Sequence, residues 1–432
     1  MGNDMKRALV LAGGGSKGAY EVGFIKALDE LNIDFSIVTG TSIGALNGCL
    51  LAQGDKESLE NLWKTLDVTQ VFKDGFSPDF SFDLEKMLNQ SNLALSFFKH
   101  YIKEKSADIT PLKNIMKSLL DEDKLRVSSI DFGLCTVRYP SLKPLFITKN
   151  EMEKGHVLDY LIASASCFPI FPIHTFLGQS YIDGGYYDNV PIDLAFSMGA
   201  DEVIVVDMNK DITHRHYLNR PHVIYTSPYL NLGGFMDFSR ESLDRNMRIG
   251  YQTAMKTFGH LKGVEYTFQP FESQLLQSFY REILYLERLL RKLLRNDSGG
   301  NLVYKFMESH KDQPLEEEDY LYVGLDWLAQ IENRDPSYIY QYDLFVLDVL
   351  KDFKKYIDED YQMISLRSSE DIMKSFKDLN RKSMIGRMLH ALIYPHEEKL
   401  DIEKLLILFP KEYIIAKLLF MLYNEHKQKT PA

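Results

Sequence analysis

The sequence predicts an α/β unit followed by a mainly α-helical one. Three observations carry that expectation. Two strand–glycine turn–helix units stand within the first 52 residues, and a later strand ends in Asp183-Gly184-Gly185. Beyond about residue 215, long amphipathic helical patterns replace strands. The expected division is 1–214 for the first domain and 215–432 for the second.

The first unit opens with Arg7-Ala8-Leu9-Val10-Leu11-Ala12, a buried-strand pattern, followed by Gly13-Gly14-Gly15-Ser16-Lys17-Gly18. From Ala19 to Leu31, apolar residues recur at helical spacing (Val22, Phe24, Ile25, Leu28, Leu31). Three successive glycines free backbone N–H groups to converge, and the helix start adds partial positive charge. Such a loop suits an anion, either a bound phosphate or the oxyanion of acyl transfer. Gly13-x-Gly15-x-x-Gly18 also matches the dinucleotide fingerprint, which requires a ribose-binding acid at the end of the second strand. That strand ends in Val38-Thr39-Gly40, and the nearest acid, Asp34, precedes it. Ala19 after Gly18 excludes a Walker A loop. A nucleotide-binding protein is the alternative reading of this loop.

The second unit is more specific. The apolar run Phe35-Ser36-Ile37-Val38 leads into Thr39-Gly40-Thr41-Ser42-Ile43-Gly44-Ala45, and a helical pattern continues to Ala52. Gly-x-Ser-x-Gly between strand and helix places the serine at the tip of a strained turn with its hydroxyl exposed, while Gly40 and Gly44 allow close approach. Ser42 is the candidate nucleophile. The alternative is a plain Gly/Ser turn capping a helix.

Residues 56–125 read as mostly helical, with Thr110-Pro111 as an N-cap followed by proline at the first helical position. The stretch Leu93–Lys105, with Phe97, Phe98, Tyr101 and Ile102, is a candidate border of an acyl pocket. Ile130–Tyr139 and Leu145–Lys149 read as paired strands, Val157–Ala163 as a helix, and Val203–Asp207 as the last strand of this domain. The strand at Gln179–Asp183 sets Asp183 at a carboxyl end, where open α/β sheets place ligands. Taken alone, Asp183-Gly184-Gly185 reads equally as an Asx turn.

Four stretches together, in this order, resemble the patatin-like phospholipase family: Gly13-Gly14-Gly15-Ser16-Lys17-Gly18, Gly40-Thr41-Ser42-Ile43-Gly44, Ala163-Ser164-Ala165-Ser166-Cys167-Phe168-Pro169, and Asp183-Gly184-Gly185. The resemblance covers about residues 5–210. Many members carry arginine where this chain has Lys17, which keeps the charge but lacks the bidentate fork. The resemblance implies a three-layer α/β/α domain with a mostly parallel central sheet, and a Ser42–Asp183 dyad in place of a triad. The oxyanion donors expected are the backbone N–H groups of Gly13, Gly14, Gly15, Ser16 and Ile43, with Gly18, Gly40, Gly44, Gly184 and Gly185 as motif glycines.

The residues argue for the dyad independently. A serine needs a base, and a triad would place a histidine beyond the acid. The candidates, His214, His216 and His222, fall in or after the polar stretch Asp211–His216, which reads as a solvated loop. His174 reads as a packed, hydrogen-bonded side chain. The expected reaction is hydrolysis of lipid carboxyl esters at a membrane or micelle surface, without metal or cofactor.

Composition sets outer limits. Formal net charge is −11, which argues against general nucleic-acid binding. The three cysteines, Cys49, Cys135 and Cys167, lie in apolar stretches and read as buried free thiols. Residues Met1–Lys6 are polar, without a secretory pattern. The longest candidate span, Leu405–Tyr423, contains Pro410, Lys411, Glu412 and Lys417 and is not a transmembrane pattern. The expected location is cytoplasmic or peripheral at a membrane. In the helical half, Leu275, Phe279, Ile283, Leu286, Leu290 and Leu293 share one face and Arg281, Arg288, Arg291 and Arg295 lie elsewhere. That helix is read as core-facing, with an anionic lipid surface as the alternative. The helical half carries no catalytic motif; a scaffold binding a protein partner is the third class considered.

Overall fold

A computed structural model describes residues 5–73, 107–294, 302–308, 315–358, 380–395 and 402–429. The Leu93–Lys105 stretch lies outside them. The chain forms two compact units, Met1–Phe258 and Gly259–Ala432.

The first unit is built on one sheet. Its strands are β1 (Arg7–Leu11), β2 (Ile37–Thr41), β3 (Asp131–Tyr139), β4 (Lys143–Thr148), β5 (His174–Phe176), β6 (Gln179–Asp183), β7 (Glu202–Val206) and β8 (Val223–Thr226). The order is β5-β6-β3-β2-β1-β7-β8, with β4 on the other edge of β3. β3, β2, β1, β7 and β8 run parallel; β4, β5 and β6 are antiparallel additions. Ala8 to Leu11, Ile37, Val38 and Val203 to Val206 are fully buried, the pattern of parallel strands covered on both faces by helices. The expected pairing of the two strands after residue 130 is present as β3–β4, and the expected helix after it spans Val157–Ser164.

Two expectations shift. The 215 division falls inside the first unit, because Val223–Thr226 adds β8 to the parallel sheet and the helix Arg240–Thr257 packs along α1 (Gly18–Glu30). Val203–Asp207 is therefore not the last strand. The packing is backbone to backbone: a Cβ on Gly23 would stand 1.9 Å from Met247 O, and one on Gly250 would stand 1.8 Å from Tyr20 O. Nothing larger than glycine fits either position. Second, the helix Thr110–Leu119 has Pro111 in its first turn as expected, but Thr110 is its first residue, and the N-cap is Ile109, which makes no side-chain cap bond. Asp108 Oδ1 accepts the N–H (2.9 Å) and the hydroxyl (2.6 Å) of Thr110.

The second unit is mainly helical. Its helix Leu275–Leu294 buries Leu275, Phe279, Ile283, Leu286 and Leu290, which bears out the core-facing reading. Two short parallel strands, β9 (Thr267–Phe268) and β10 (Ile339–Tyr340), pair with each other, and the buried Asp326 accepts the N–H groups of Glu265 and Tyr266 just before β9. Among the described residues, no helix is long and apolar enough to cross a membrane.

Candidate active site

β1 and β2 end side by side, with Leu11 paired to Gly40. The chain then makes its two glycine turns. After β2, Ser42 takes φ 55° and ψ −123° as the cap of α2 (Ile43–Ala52), a backbone region that side chains other than glycine's rarely occupy. The turn is tight because Gly40 and Gly44 touch: a Cβ on Gly40 would lie 2.4 Å from Gly44 O. The strain is held by partners outside the turn. Ser42 N–H donates to Ser164 Oγ (2.9 Å), and the Ser164 hydroxyl donates to Cys135 O on β3 (2.7 Å).

The aspartate arrives from the opposite direction. Thr41, at the end of β2, pairs with Cys135; Asp183, at the end of β6, pairs with Thr136. β4 covers residues 133–138 on the other edge of β3, so β2 and β6 lie head to head along one edge. Their ends occupy successive positions of β3. Ser42 Oγ consequently donates to Asp183 Oδ2 at 2.7 Å. The second oxygen, Oδ1, accepts Gly185 N–H at 2.7 Å, and Asp183 N–H donates to Ser166 O at 2.9 Å. Asp183 is buried; burial pushes its pKa from 3.8 up to about 6, against the pull of the Gly185 N–H and the Ser42 hydroxyl.

The first glycine loop passes directly beside the serine, since a Cβ on Gly13 would stand 3.2 Å from Ser42 Cβ. The four donors expected from this loop, and Ile43 after the serine, do not remain equivalent. Gly13 N–H donates to Asn189 O (3.0 Å) and Ser16 N–H to Phe235 O (2.8 Å). Both residues are buried, and their N–H groups serve the fold, so they leave the expected donor set. Gly14 and Gly15 are partly exposed, as is Ile43 at the start of α2. Asn189 fastens the loop twice, accepting from Gly13 N–H through its carbonyl and donating from Nδ2 to Gly13 O (3.0 Å). Among the motif glycines, Gly184 lies against Cys135 O and Gly18 against Ile43 and Trp63.

The histidines are engaged elsewhere. His214 Nε2 lies 3.4 Å from Asp188 Oδ1, and that carboxylate raises its pKa. His216 packs against Tyr217, and His222 is exposed. His174 Nε2 sits 2.9 Å from Asp159 Oδ1, and burial lowers its pKa. Cys49 and Cys135 are buried, Cys167 is partly so, and none forms a disulfide. Among the described residues, no group of three or more His, Cys, Asp or Glu side chains is placed to hold a metal ion.

Sequence reasoning did not assign roles to Ser164, Cys135 and Asn189. Ser164 lay within a stretch quoted for the family resemblance, but no spacing pointed from it to the N–H of Ser42, 122 residues away.

Residues 9–196 match the family model described as patatin-like phospholipase. A 200-residue stretch is 28% identical to lysophospholipase nte1 of Aspergillus terreus, covering 46% of this chain and 12% of that protein. A 210-residue stretch is 30% identical to patatin-like phospholipase domain-containing protein 7 of Rattus norvegicus, covering 46% and 13%. The matched stretch thus spans about an eighth of these relatives. Among solved structures, VipD from Legionella pneumophila superposes over 95% of this chain and 92% of its own, with 14% identity and a TM-score of 0.39.

Proposed function

We propose that the chain, whose residues 9–196 match the patatin-like phospholipase family model, is a serine acyl hydrolase of lipid carboxyl esters, of phospholipase A or lysophospholipase type, working through a Ser42–Asp183 dyad. The observation that carries this reading is the 2.7 Å bond from Ser42 Oγ to Asp183 Oδ2, made by a serine held at φ 55°.

Ser42 Oγ attacks the ester carbonyl carbon as its proton passes to Asp183 Oδ2. The tetrahedral oxyanion is met by the N–H groups of Gly14, Gly15 and Ile43. Collapse breaks the bond to the alcohol, which leaves with the proton from Asp183, and an acyl-enzyme remains on Ser42. Water then attacks the acyl carbon, giving its proton to Asp183, and the free acid departs as that proton returns to Ser42. An ordinary carboxylate is a weak base at neutral pH. A pKa of about 6 makes Asp183 a stronger acceptor while leaving it mostly ionised at pH 7. Preorganised N–H donors supply much of the remaining rate. No metal enters these steps.

The test is covalent. A fluorophosphonate should add once, to Ser42, as read by peptide mass, and Ser42→Ala should abolish both labelling and ester hydrolysis. A labelled Ser42→Ala protein, or retention of more than about 1% of activity, would end the assignment.

A further inference from the structure

The antiparallel part of the sheet projects past the dyad. β3 continues from Thr136 to Tyr139 beyond the last residue of β2, flanked by β4 and β6. β6 returns from Gln179 inward to Asp183. The β3–β4 and β5–β6 turns therefore lie together at the outer end of this arm. Ser180, paired with Tyr139, is three residues and so about 10 Å from Asp183 along the strand.

Both turns are capped by leucine where the backbone disfavours it. Leu142 has φ 54° and is 59% exposed; Leu177 has φ 49° and is 58% exposed. Leu177-Gly178 is a two-residue hairpin turn with positive φ at both positions, where Asn-Gly is the preferred pair. Neither leucine contributes to the core. The adjacent Phe176, by contrast, is buried against Tyr160 and Tyr181, with ring centroids at 4.8 and 5.0 Å, so the base of the arm is fixed. Of the seven large apolar or aromatic side chains exposed in the first unit among the described residues, five belong to this arm or to the Asp183 turn: Tyr139, Leu142, Phe146, Leu177 and Tyr187. Tyr187 and Phe146 form an edge contact at 6.0 Å, level with the dyad because Phe146 pairs with Cys135.

The charge on the arm departs from that of the chain. Segments 138–147 and 173–182 contain no Asp or Glu but include Arg138 and Lys143. At the chain's average of 61 acids in 432 residues, about three would be expected there. Exposed aliphatic tips, aromatic side chains behind them and cations without acids match the interface of an anionic lipid layer. They match a charged aqueous surface poorly.

We propose that the two hairpin tips form a lipid-docking face, with Leu142 and Leu177 entering the acyl boundary of an anionic lipid surface and Arg138 and Lys143 at the headgroups. The proposal rests on the lipid-ester reading above. It sets the dyad about 10 Å from the bound interface, within reach of an ester drawn up along the arm.

The test uses full-length Ser42→Ala protein, which turns over no lipid, and phosphatidylcholine vesicles containing phosphatidylglycerol. In that background, Leu142→Asn with Leu177→Asn should lower vesicle partitioning at least about tenfold. Val127→Asn, at an 85% exposed site outside the arm, should change it less than about twofold. Asparagine suits both backbone positions, so the double variant should melt no lower than the parent, and in the active protein it should keep hydrolysis of a soluble short-chain ester within about twofold. The proposal is overturned by absence of parent binding, by unchanged partitioning of the double variant, by an equal loss in Val127→Asn, or by a lowered melting temperature. It is also overturned if the double variant changes only self-association in sedimentation, which would assign the face to a second copy of the chain. Failure of the dyad would appear separately, as an unlabelled Ser42 with the partitioning differences intact.

Discussion

The turns that carry Ser42 and Asp183 face each other across 2.7 Å, yet they are made differently. The serine turn is a local device. Its glycines, its strained φ and the start of its following helix all lie within six residues, and its strain marks it out in any context. The aspartate turn is ordinary. Asp183 has an unremarkable extended backbone and binds Gly185 N–H as many Asp-Gly turns do. Its basicity comes from burial and from register, because β6 meets the end of β2 on a common neighbour. One half of the pair is thus built by stereochemistry and the other by packing.

The comparison breaks most sharply if the acid is removed. Asp183→Asn should cut kcat by three orders of magnitude or more, measured on a soluble ester, while preserving the fold. It should also stabilise the protein in alkali. The carboxyl has its pKa raised from 3.8 to about 6 on folding, so its contribution is favourable below pH 3.8 and is lost as pH rises through about 6. Above that, the ionised buried group costs on the order of 3 kcal/mol that asparagine avoids. Denaturant midpoints for parent and variant should converge near pH 4 and separate by pH 8; separation in the opposite order would remove the desolvation account.

A second break concerns the extent of the unit. A truncated protein ending at residue 214 loses β8 and the helix crossing α1 at Gly23 and Gly250, and should fail to give a cooperative melt. One ending at residue 258 should melt cooperatively and keep Ser42 reactive. Equal behaviour of the two would show the helix Arg240–Thr257 to be dispensable.

Support of the serine turn from outside predicts a smaller effect. Ser164→Ala leaves the Ser42 N–H without its buried acceptor and should lower kcat roughly tenfold to a hundredfold with little change in KM. Ser164→Thr, which keeps the hydroxyl, should recover most of it. A loss shared by both variants would point to packing alone.

The pH profile sharpens the same contrast. kcat/KM should rise through an apparent pKa of about 6, falling about tenfold per unit below it as Asp183 protonates. His214→Ala should leave that profile and kcat within about twofold, since His214 is paired with Asp188 and not with Ser42. A profile that disappears in the histidine variant would replace the dyad with a triad.

The sequence by itself determined the elements whose physics is local: the Gly-x-Ser-x-Gly turn between strand and helix, the triple-glycine loop after β1, the Asp-Gly-Gly turn, the β3–β4 pair and the apolar face of Leu275–Leu294. These follow from steric rules and periodicities acting over a few residues. The tertiary structure alone decided which distant positions meet. Nothing local to residues 131–139 indicates that Cys135 and Thr136 pair with Thr41 and Asp183 in succession, that Ser164 holds the Ser42 backbone, or that Asn189 and Phe235 take the N–H groups of Gly13 and Ser16. Nor do the residues before 215 show that a helix beginning at Arg240 completes their core. Register and helix contact are set by mutual packing of segments far apart in the sequence, and that energy belongs to the pair and not to either sequence.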